Sequence, residues 1–468
     1  MLPATAAAPL SLLLAVSMAF AQETESDLSP EERASLEQRL ERLDGRSTDW
    51  VLLADIGDKV QPLGARAVPL LRERVKAALE REDPRYGVRL LGVLCRLDDD
   101  GARQLFEIVA SEDERAASLA ARVIGRSQAP ASRIHARLVA ALEKEKRPTV
   151  ISALALAAAD AGATAAATPI RSRITEKAVE PGIARWLAIA LACLEKELPK
   201  KSLLEWLAPE SPLVESAILL ARSHRDPGVE GKVIELLQSA EDETRWTWLI
   251  EALGACGGDE SKSALRESLN AEDEEAKDES GGVLLASSNI DARLLALLRL
   301  REPAAIAWAK ATVASEGRGE AASGMTFAMM SEEQARIPEL LGKWRITEAD
   351  SAIEACLKSK TATGQLRIHA ARGLSWRRDA RGLRAAAEIL ADPNSTAMPF
   401  DLHSTGMPAQ NTLHEFVGNP DRPDYVPLED GAVAAELGKQ WLAWIDKYES
   451  KIQWREPLAE SQDLLLWR

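Results

Sequence analysis

The feature that most constrains the fold of this chain is an acidic tetrapeptide that recurs in similar surroundings. Ser-Glu-Asp-Glu at 111–114 recurs as Ala-Glu-Asp-Glu at 240–243 and again at 271–274. The last two copies are 31 residues apart, and the first lies 129 residues before the second, which is about four such periods. An apolar helical pattern precedes each copy. Similarity at a fixed period predicts a repeat protein rather than a set of unrelated globular domains.

The pattern within each repeat predicts two helices joined by a short turn. Acidic residues at the start of a helix stabilise it, because they face unsatisfied N–H groups and the positive end of the helix dipole. Ser29 is a predicted helix N-cap, and the residues that follow it are typical of the first turn of a capped helix. Gly125 and Gly254, also 129 residues apart, are small residues that let two helix backbones approach. Since convincing alternating strand patterns are absent, we expect an all-α protein.

In its period of 31 residues and its two helices per unit, the repeat resembles HEAT and HEAT-like repeats in their shorter bacterial form. The resemblance covers roughly residues 28–392, with poorly matched units at 145–225. It implies a right-handed α-solenoid in which each helix pair is covered by its neighbours, leaving a long open surface for docking. Tetratricopeptide repeats fit less well, because their Trp, Leu-Gly and Tyr pattern at a period of about 34 residues is not found.

The N-terminal sequence predicts export. The first charged side chain is Glu23, and an apolar run ends in Ala19-Phe20-Ala21, a small-x-small cleavage pattern. We expect residues 1–21 to be a signal peptide that is cleaved after Ala21, and the protein to be periplasmic or secreted. A buried N-terminal helix is the alternative. Neither this run nor the alanine-rich stretch 149–170, which contains Asp160, suits a membrane span.

The C-terminal part differs from the predicted solenoid, which occupies residues 22–392. Six prolines fall in residues 393–428, which predicts a long irregular insertion with at most one short helix near 411–417. We expect this insertion to fold back onto the last repeats through four apolar anchors, Phe400, Leu402, Phe416 and Tyr425. Residues 429–468 form a Trp-rich helix and tail. Its stripe of Trp441, Trp444, Ile445 and Tyr448 indicates either a cap on the open end of the solenoid or a docking surface.

Residues able to carry chemistry are few. Known hydrolase and nucleotide-binding motifs are absent, and the four cysteines are expected to be free, buried thiols. The one group with metal-ligand residue types lies in the insertion and comprises Asp401, His403, His414, Glu415, Asp421 and Asp424. Its spacing matches no metal motif. We therefore expect no metal, no cofactor and no enzymatic activity. A hydrolase or lyase with a metal-assisted site in the insertion is the alternative.

Charge distribution indicates the kind of partner. The net charge of −15 argues against nucleic acid, which needs a basic face. Residues 360–384 nevertheless carry seven Lys and Arg against one Asp. The candidate partner-binding surface comprises Trp376, Arg377, Arg378, Arg381, Trp441 and Trp444. We expect it to bind a protein or peptide through charge and stacking, so that the chain acts as an exported scaffold for protein–protein interaction. A solvated helix face is the simpler alternative.

Overall fold

The computed structural model describes residues 28–44, 50–81, 85–175, 181–195, 200–211, 213–223, 226–240, 242–275, 286–317, 332–359, 362, 364–392, 405–428 and 430–455. These ranges are all-helical, apart from turns and an isolated antiparallel bridge between Val417 and Trp454. The predicted all-α class is therefore confirmed. The predicted signal peptide, residues 1–21, lies outside the described residues.

The helices are short and follow one another closely along the chain. Those of the N-terminal half are α1 (Pro30–Glu41), α2 (Trp50–Val60), α3 (Val68–Leu79), α4 (Arg85–Leu97), α5 (Asp99–Val109), α6 (Glu114–Arg126), α7 (Ala131–Lys144), α8 (Pro148–Asp160), α9 (Ala167–Ile174), α10 (Pro181–Leu194), α11 (Lys200–Trp206) and α12 (Val214–Ser223).

The C-terminal half continues in the same way up to Ala391 and then changes character. Its helices are α13 (Glu230–Gln238), α14 (Glu243–Cys256), α15 (Asp259–Glu275), α16 (Ala286–Arg299), α17 (Pro303–Gly317), α18 (Glu332–Lys343), α19 (Asp350–Lys358), α20 (Gly364–Trp376), α21 (Ala380–Ala391), α22 (Met407–Phe416) and α23 (Gly431–Tyr448). Helix α22 is the short helix that was predicted within the insertion.

Even-numbered helices lie side by side. Contacts join α2 to α4 and continue stepwise through α6, α8, α10, α12 and α14 to α16, and they join α18 to α20. Between α16 and α18, the guanidinium carbon of Arg299 lies 5.9 Å from the ring centre of Trp344. The odd-numbered helices pack against their even-numbered neighbours in the chain. The apolar side of each helix pair is thus buried mainly by adjacent pairs.

Close approaches of backbone occur where the sequence repeats a glycine. A Cβ atom added at Gly125 on α6 would lie 2.6 Å from Ala157 Cα on α8. The equivalent atom at Gly254 on α14 would lie 2.8 Å from Ala296 Cα on α16. Both distances are far below ordinary van der Waals contact. The prediction that these glycines let two helices approach is confirmed.

Several even-numbered helices end in the same way. The residue two positions beyond the helix has a positive φ in α6, α8, α16, α18 and α20, at Gln128, Gly162, Arg301, Arg345 and Arg378. In α8, α16, α18 and α20 the following N–H then reaches back to a carbonyl inside the helix, as in the 2.9 Å bond from Ile346 to Leu341. This is a Schellman ending. At the end of α6 the corresponding N–H, that of Ala129, donates instead to Ser127 Oγ at 3.2 Å. The Schellman ending recurs along the chain, so the backbone conformation repeats at positions where the amino-acid sequence shows no matching repeat.

Arginines of one helix pair also cap helices of another. Arg133 at the start of α7 donates to the carbonyl of Leu97 at the end of α4, at 3.0 Å. Arg377 donates to the carbonyls of Leu341 and Ile346, at the end of α18, at 3.0 and 3.1 Å. Terminal carbonyls have no partner within their own helix. These bonds therefore tie successive pairs together.

The acidic tetrapeptides do not all start helices. Asp113 and Asp242 are the N-caps of α6 and α14, and each accepts hydrogen bonds from backbone N–H groups of the first turn. The third copy was expected to do the same, but residues 271–274 lie in the last turns of α15. Alanine and glutamate are good helix formers, and nothing in this copy breaks the preceding helix. The expectation of a helix start was wrong there.

The C-terminal segment closes the row of even-numbered helices. Helix α22 contacts α20 and α21 on one side and α2 on the other, and α23 packs against α21. Phe416 and Tyr425 are buried, as predicted, whereas Phe400 and Leu402 lie outside the described residues. This segment thus covers helices from both ends of the array at once. Covering both removes apolar faces that terminal repeats otherwise expose.

Candidate functional site

A group of charged side chains, most of them buried, lies where the C-terminal segment meets α2. We call it the junction cluster, and it comprises Asp55, Asp58, His414, Arg422 and Arg455. Asp55 and Asp58 are three residues apart on α2 and therefore share one face of that helix. The other three residues come from α22 and the chain that follows it. The cluster thus joins parts of the protein that are far apart in sequence.

Asp55 is held from several directions. Its Oδ1 atom lies 2.9 Å from Arg422 Nη2, and its Oδ2 atom accepts a 3.0 Å hydrogen bond from the backbone N–H of Tyr425. His414 Nδ1 lies 3.3 Å from the same Oδ1 atom. Arg422 Nε lies 3.5 Å from the same Nδ1 atom, so this ring nitrogen faces both a carboxylate and a guanidinium donor.

Asp58 is bound by three arginines. Arg422 Nη2 lies 2.9 Å from its Oδ2 atom, and Arg96 Nη2 on α4 lies 2.8 Å from its Oδ1 atom. Arg455 forms a further ion pair with Oδ2. Arg96 belongs to the neighbouring even-numbered helix, so the charges of the junction cluster continue into the stacked row.

A second layer of contacts surrounds the junction cluster. Asp424 pairs with Arg39 on α1 and with Lys59 on α2, each at 3.0 Å. Arg42 donates to the carbonyl of Tyr425 at 3.0 Å. Asp424 was one of the candidate metal ligands in the sequence, and here it binds cationic side chains of the first helices instead.

Burial and charge shift the pKa values of this cluster in known directions. Burial would raise the pKa of Asp55, but hydrogen bonding by His414, the charge of Arg422 and the N–H of Tyr425 hold it well below its usual range. Burial lowers the pKa of His414, and the charges of Arg422 and Lys59 lower it further, against the attraction of Asp55. At neutral pH the cluster therefore holds an ionised Asp55 beside a neutral His414.

A second group of charged side chains, which we call the Glu339 group, joins α22 to α18 and α20. Glu339 on α18 accepts from Arg372 Nε at 2.9 Å and from Trp376 Nε1 at 3.2 Å, and its Oε2 atom lies 2.7 Å from His369 Nδ1. Arg372 also pairs with Glu415 on α22 at 2.9 Å. Burial would raise the pKa of Glu339, but Arg372 and His369 hold it well below its usual range. His414 and Glu415, adjacent in sequence, thus connect α22 to helices from opposite ends of the chain.

The histidine of the junction cluster is fully enclosed. His414 is 0% exposed, and the rings of Tyr425 and Trp441 both lie 5.1 Å from it in edge-to-face geometry. Its Nε2 atom has no hydrogen-bond partner in the described part of the chain. Two more of the sequence's metal-ligand candidates, Asp401 and His403, lie outside the described residues. Within the described ranges, no three His, Cys, Asp or Glu side chains are grouped so that they could hold a metal ion.

The candidate partner-binding residues divide into two kinds. Trp376, Trp441 and Trp444 are 8%, 0% and 7% exposed and belong to the core formed by α20 to α23. Arg377 is a helix cap, as described above. Arg378 and Arg381 are exposed, and Arg381 pairs with Asp379 and Glu354, each at 2.6 Å.

These residues therefore do not form one continuous indole surface, and among them only Arg378 and Arg381 are exposed. Partner binding at Arg378 and Arg381 stays a prediction. The tryptophans on α23 take the capping position, packed against α21.

The cysteines are free, as predicted. Cys95, Cys256 and Cys356 are buried, and Cys193 is half-buried. Burial raises the pKa of Cys95 to about 11 and the pKa of both Cys256 and Cys356 to about 12. Thiols with such pKa values remain protonated at neutral pH, so these three are poor nucleophiles and poor metal ligands.

Sequence reasoning missed the junction cluster. Asp55 and Asp58 are carboxylates that stand among apolar residues in Trp50–Val60, on the same helix face as Leu52 and Ile56. Acidic residues on the buried face of a helix need buried partners. That pattern is the signal that could have indicated a distant arginine.

Comparison with models of known protein families gives no match, and no curated protein matches this sequence. Among the described helices, none has the length and apolarity needed to cross a lipid bilayer.

Proposed function

We propose that this protein is an exported, non-enzymatic scaffold for protein–protein interaction, built as a right-handed α-solenoid of HEAT-like helix pairs. The observation that carries the proposal is the recurrence of the same helix ending and the same glycine approach along one row of helices. Equivalent units that stack in this way create an extended surface whose exposed residues vary freely, which is how repeat proteins bind partners.

The chemistry of the buried groups supports a binding role over a catalytic one. In the junction cluster and the Glu339 group, the histidines and carboxylates form ion pairs between helices. Catalytic acids and bases must instead reach a substrate within hydrogen-bond distance. Three of the four thiols have raised pKa values, which disfavours nucleophilic catalysis.

Export can be tested separately from binding. We expect the mature protein, recovered from the periplasm or medium of its source organism, to begin at Gln22. N-terminal sequencing or intact-mass measurement would check this. A mature chain that keeps residues 1–21 and stays in the cytoplasm would contradict the export proposal while leaving the scaffold proposal standing.

Binding can be tested by site-specific photo-cross-linking in the source organism. A photoreactive phenylalanine derivative is placed at Arg378 on the exposed surface, and a matched control is placed at Glu73 on α3, whose side chain is 71% exposed. We expect a reproducible protein adduct at Arg378 that Glu73 does not give. Equal labelling at both positions, or no adduct at either, would contradict a partner-binding role for this surface.

A further inference from the structure

An open groove of about 710 Å³ lies between the C-terminal ends of α5 and α7, two neighbouring odd-numbered helices that contact each other. Volumes of roughly 300–1,000 Å³ are typical of small-molecule sites in proteins. The apolar wall of the groove is formed by Phe106, Val109, Ala110, Ala140 and Ala141. The groove therefore has both the size and the apolar lining that a small organic ligand needs.

Most of the charged side chains along this groove are cationic. They are Arg137, Lys144, Lys146 and Arg147, against two acids, Glu112 and Glu145. Glu145 and Arg147 neutralise each other, since Glu145 Oε2 lies 2.6 Å from Arg147 Nη2. Without that pair, three cations face one acid, in a protein whose net charge is −15. The groove is thus locally positive and attracts an anionic ligand.

Two arginines neutralise the helix ends beside the groove. Arg147 Nη2 donates to the carbonyl of Val109, the last residue of α5, at 2.7 Å. Arg173 donates to the carbonyls of Leu142 and Glu145, at the end of α7, at 3.2 and 2.7 Å. Uncapped carbonyls here would repel an anion, because the C-terminal end of a helix carries partial negative charge. The capping arginines reduce that repulsion.

Arg137 is a cation of the groove that lacks a partner in the protein. It is half-buried, and its Nη1 atom is covered from solvent without a hydrogen-bond partner within the described ranges. No ion pair among those residues includes Arg137. Its charge acts on Cys95, but that thiol keeps its proton at neutral pH, because burial raises its pKa to about 11. The positive charge of Arg137 is therefore not balanced by a carboxylate of the described chain.

A second polar atom of the groove also lacks a partner. Ser111 Oγ, on the turn after α5, is buried and forms no hydrogen bond with any part of the chain that the structure describes. Buried polar atoms nearly always have a partner, whether protein, water or ligand. A guanidinium group only donates, and a hydroxyl group can donate as well, so a carboxylate can accept from both. The two unsatisfied atoms and the charge of the groove thus call for the same kind of ligand group.

We propose that this groove binds a small carboxylate with an apolar body, such as a medium-chain fatty acid. The carboxylate pairs with Arg137, and the apolar chain covers Phe106 and the alanines of α7. Lys144 and Lys146 are exposed and add attraction at longer range. The inference does not depend on the scaffold function, because the groove and Arg378 belong to different parts of the helix array.

The match requires both parts of the ligand. An inorganic anion would leave the apolar wall uncovered, and a neutral apolar molecule would leave Arg137 Nη1 and Ser111 Oγ without a partner. An acidic peptide would bring backbone N–H and C=O groups that need hydrogen bonds of their own, whereas the wall is formed by Phe, Val and Ala side chains. A fatty acid has one charged group and no other polar atoms, so it fits the lining best.

The test uses the purified full chain and isothermal titration calorimetry at low salt, with each probe below its micelle concentration. Decanoate carries a carboxylate and an apolar chain, acetate carries the carboxylate alone, and decyltrimethylammonium carries the same chain with the opposite charge. Arg137→Gln removes the cation, and Ala141→Trp fills the groove. Arg384→Gln is the matched control, because Arg384 is a 35% exposed arginine on α21, which does not line the groove.

We expect wild type to bind one decanoate, and to bind acetate and decyltrimethylammonium at least about tenfold more weakly. Arg137→Gln should weaken decanoate binding roughly fivefold to tenfold, through the loss of one charge-assisted hydrogen bond at a partly exposed site. Ala141→Trp should weaken it further, and Arg384→Gln should not change it. Thermal melting would confirm that the variants are folded, and Arg137→Gln serves if Ala141→Trp is not.

The proposal would be overturned if wild type failed to bind decanoate, or if Arg137→Gln bound it as tightly as wild type. Equal binding of decyltrimethylammonium would overturn it by showing that apolar contact alone acts. Acetate that bound as tightly as decanoate would overturn it in favour of a simple anion site. None of these results affects the cross-linking at Arg378, so a failure here can be told apart from a failure of the scaffold proposal.

Discussion

Arg422 Nη2 lies 2.9 Å from Asp55 Oδ1, although 367 residues separate the two in the chain. The same nitrogen lies 2.9 Å from Asp58 Oδ2, and the side chain of Arg422 is 0% exposed. One guanidinium group thus neutralises two buried carboxylates of α2 and fixes the C-terminal segment against the first helices. The junction is therefore stabilised by charge as well as by apolar contact.

Replacing this arginine should destabilise the protein strongly. Arg422→Met keeps much of the side-chain volume but leaves the carboxylates of Asp55 and Asp58 with too little positive charge. We expect the free energy of unfolding to fall by about 3–5 kcal/mol, the usual cost of breaking a buried ion pair on one side. Urea denaturation followed by circular dichroism would measure it. Arg103→Met, at an exposed site, should cost less than about 1 kcal/mol. Similar losses in the two variants would contradict the role of the junction.

Acid should weaken the junction through His414. The pKa of His414 is lowered in the folded protein, so the unfolded chain binds a proton at a higher pH than the folded chain does. Stability from the neutral His414 is present above the unfolded pKa, near 6.5, and is lost as the pH falls below it. The groups that face this ring are Asp55, Arg422 and Lys59.

Thermal melting between about pH 7 and pH 5 should therefore show a smaller decline in His414→Asn than in wild type. Asparagine can still donate to Asp55 but does not titrate. His135 and His369 are common to both proteins, so the difference isolates His414. Below about pH 4, protonation of Asp55 should weaken both proteins, because its folded pKa is depressed. Identical pH profiles would rule out the assigned direction for His414.

The close approach of α6 and α8 should not tolerate a methyl group. Gly125→Ala would place Cβ against the backbone of Ala157, and we expect a loss of about 1–3 kcal/mol. Gly231→Ala on α13 is the control, because it is exposed and has no atom within 4 Å of an added Cβ. At this position the alanine should raise the free energy of unfolding by about 0.5–1 kcal/mol, because alanine lowers the conformational entropy of the unfolded chain. Chemical denaturation of both variants would measure these changes in the free energy of unfolding. Equal changes in the two variants would contradict the close packing of α6 and α8.

The shared helix ending makes one glycine substitution favourable. Arg345 is exposed and has φ of 54°, a conformation that costs an L-residue about 1 kcal/mol. Arg345→Gly should therefore raise the free energy of unfolding by up to about 1 kcal/mol. Arg103→Gly, the same change inside helix α5, should lower it by about 1 kcal/mol. Differential scanning calorimetry should show that the two substitutions move the melting temperature in opposite directions. A lower melting temperature in both variants would contradict the Schellman ending of α18.

The thiols should differ in reactivity according to burial. In the folded protein at pH 8, we expect Cys95, Cys256 and Cys356 to resist iodoacetamide, because burial raises each pKa to about 11 or 12. Half-buried Cys193 should react first. Peptide mass spectrometry would identify the modified residues, with urea-unfolded protein as the reference in which all four react. Rapid labelling of Cys256 without unfolding would contradict its placement in the core.

Much of the fold could be predicted because its signals are local. The N-caps Asp113 and Asp242, and the capping box between Ser29 and Glu32, act within a single turn of helix. Such features depend only on neighbouring residues, so a single sequence reveals them. The third acidic copy shows the limit of this reasoning, since the same letters at 271–274 end a helix rather than begin one.

The candidate site could not be predicted in the same way. Trp376, Trp441 and Trp444 have the residue type of a docking surface, yet they fill the core between α20 and α23. Whether an aromatic ring faces solvent depends on which helix packs over it. Arg185 likewise stacks on Trp248 of a different helix, and no local pattern links the two residues.

Local sequence is enough to specify the helices, their caps, the repeat and the glycine approaches, because each follows from short-range geometry and from the need of every helix pair for an apolar neighbour. Only the packing of the complete chain joins the beginning of the array to its end through α22 and brings Asp55 against Arg422. A buried charge pair requires only that its partners be close in space. Whether residues hundreds of positions apart become neighbours depends on how all the stacked helices are arranged, and no local sequence pattern gives that arrangement.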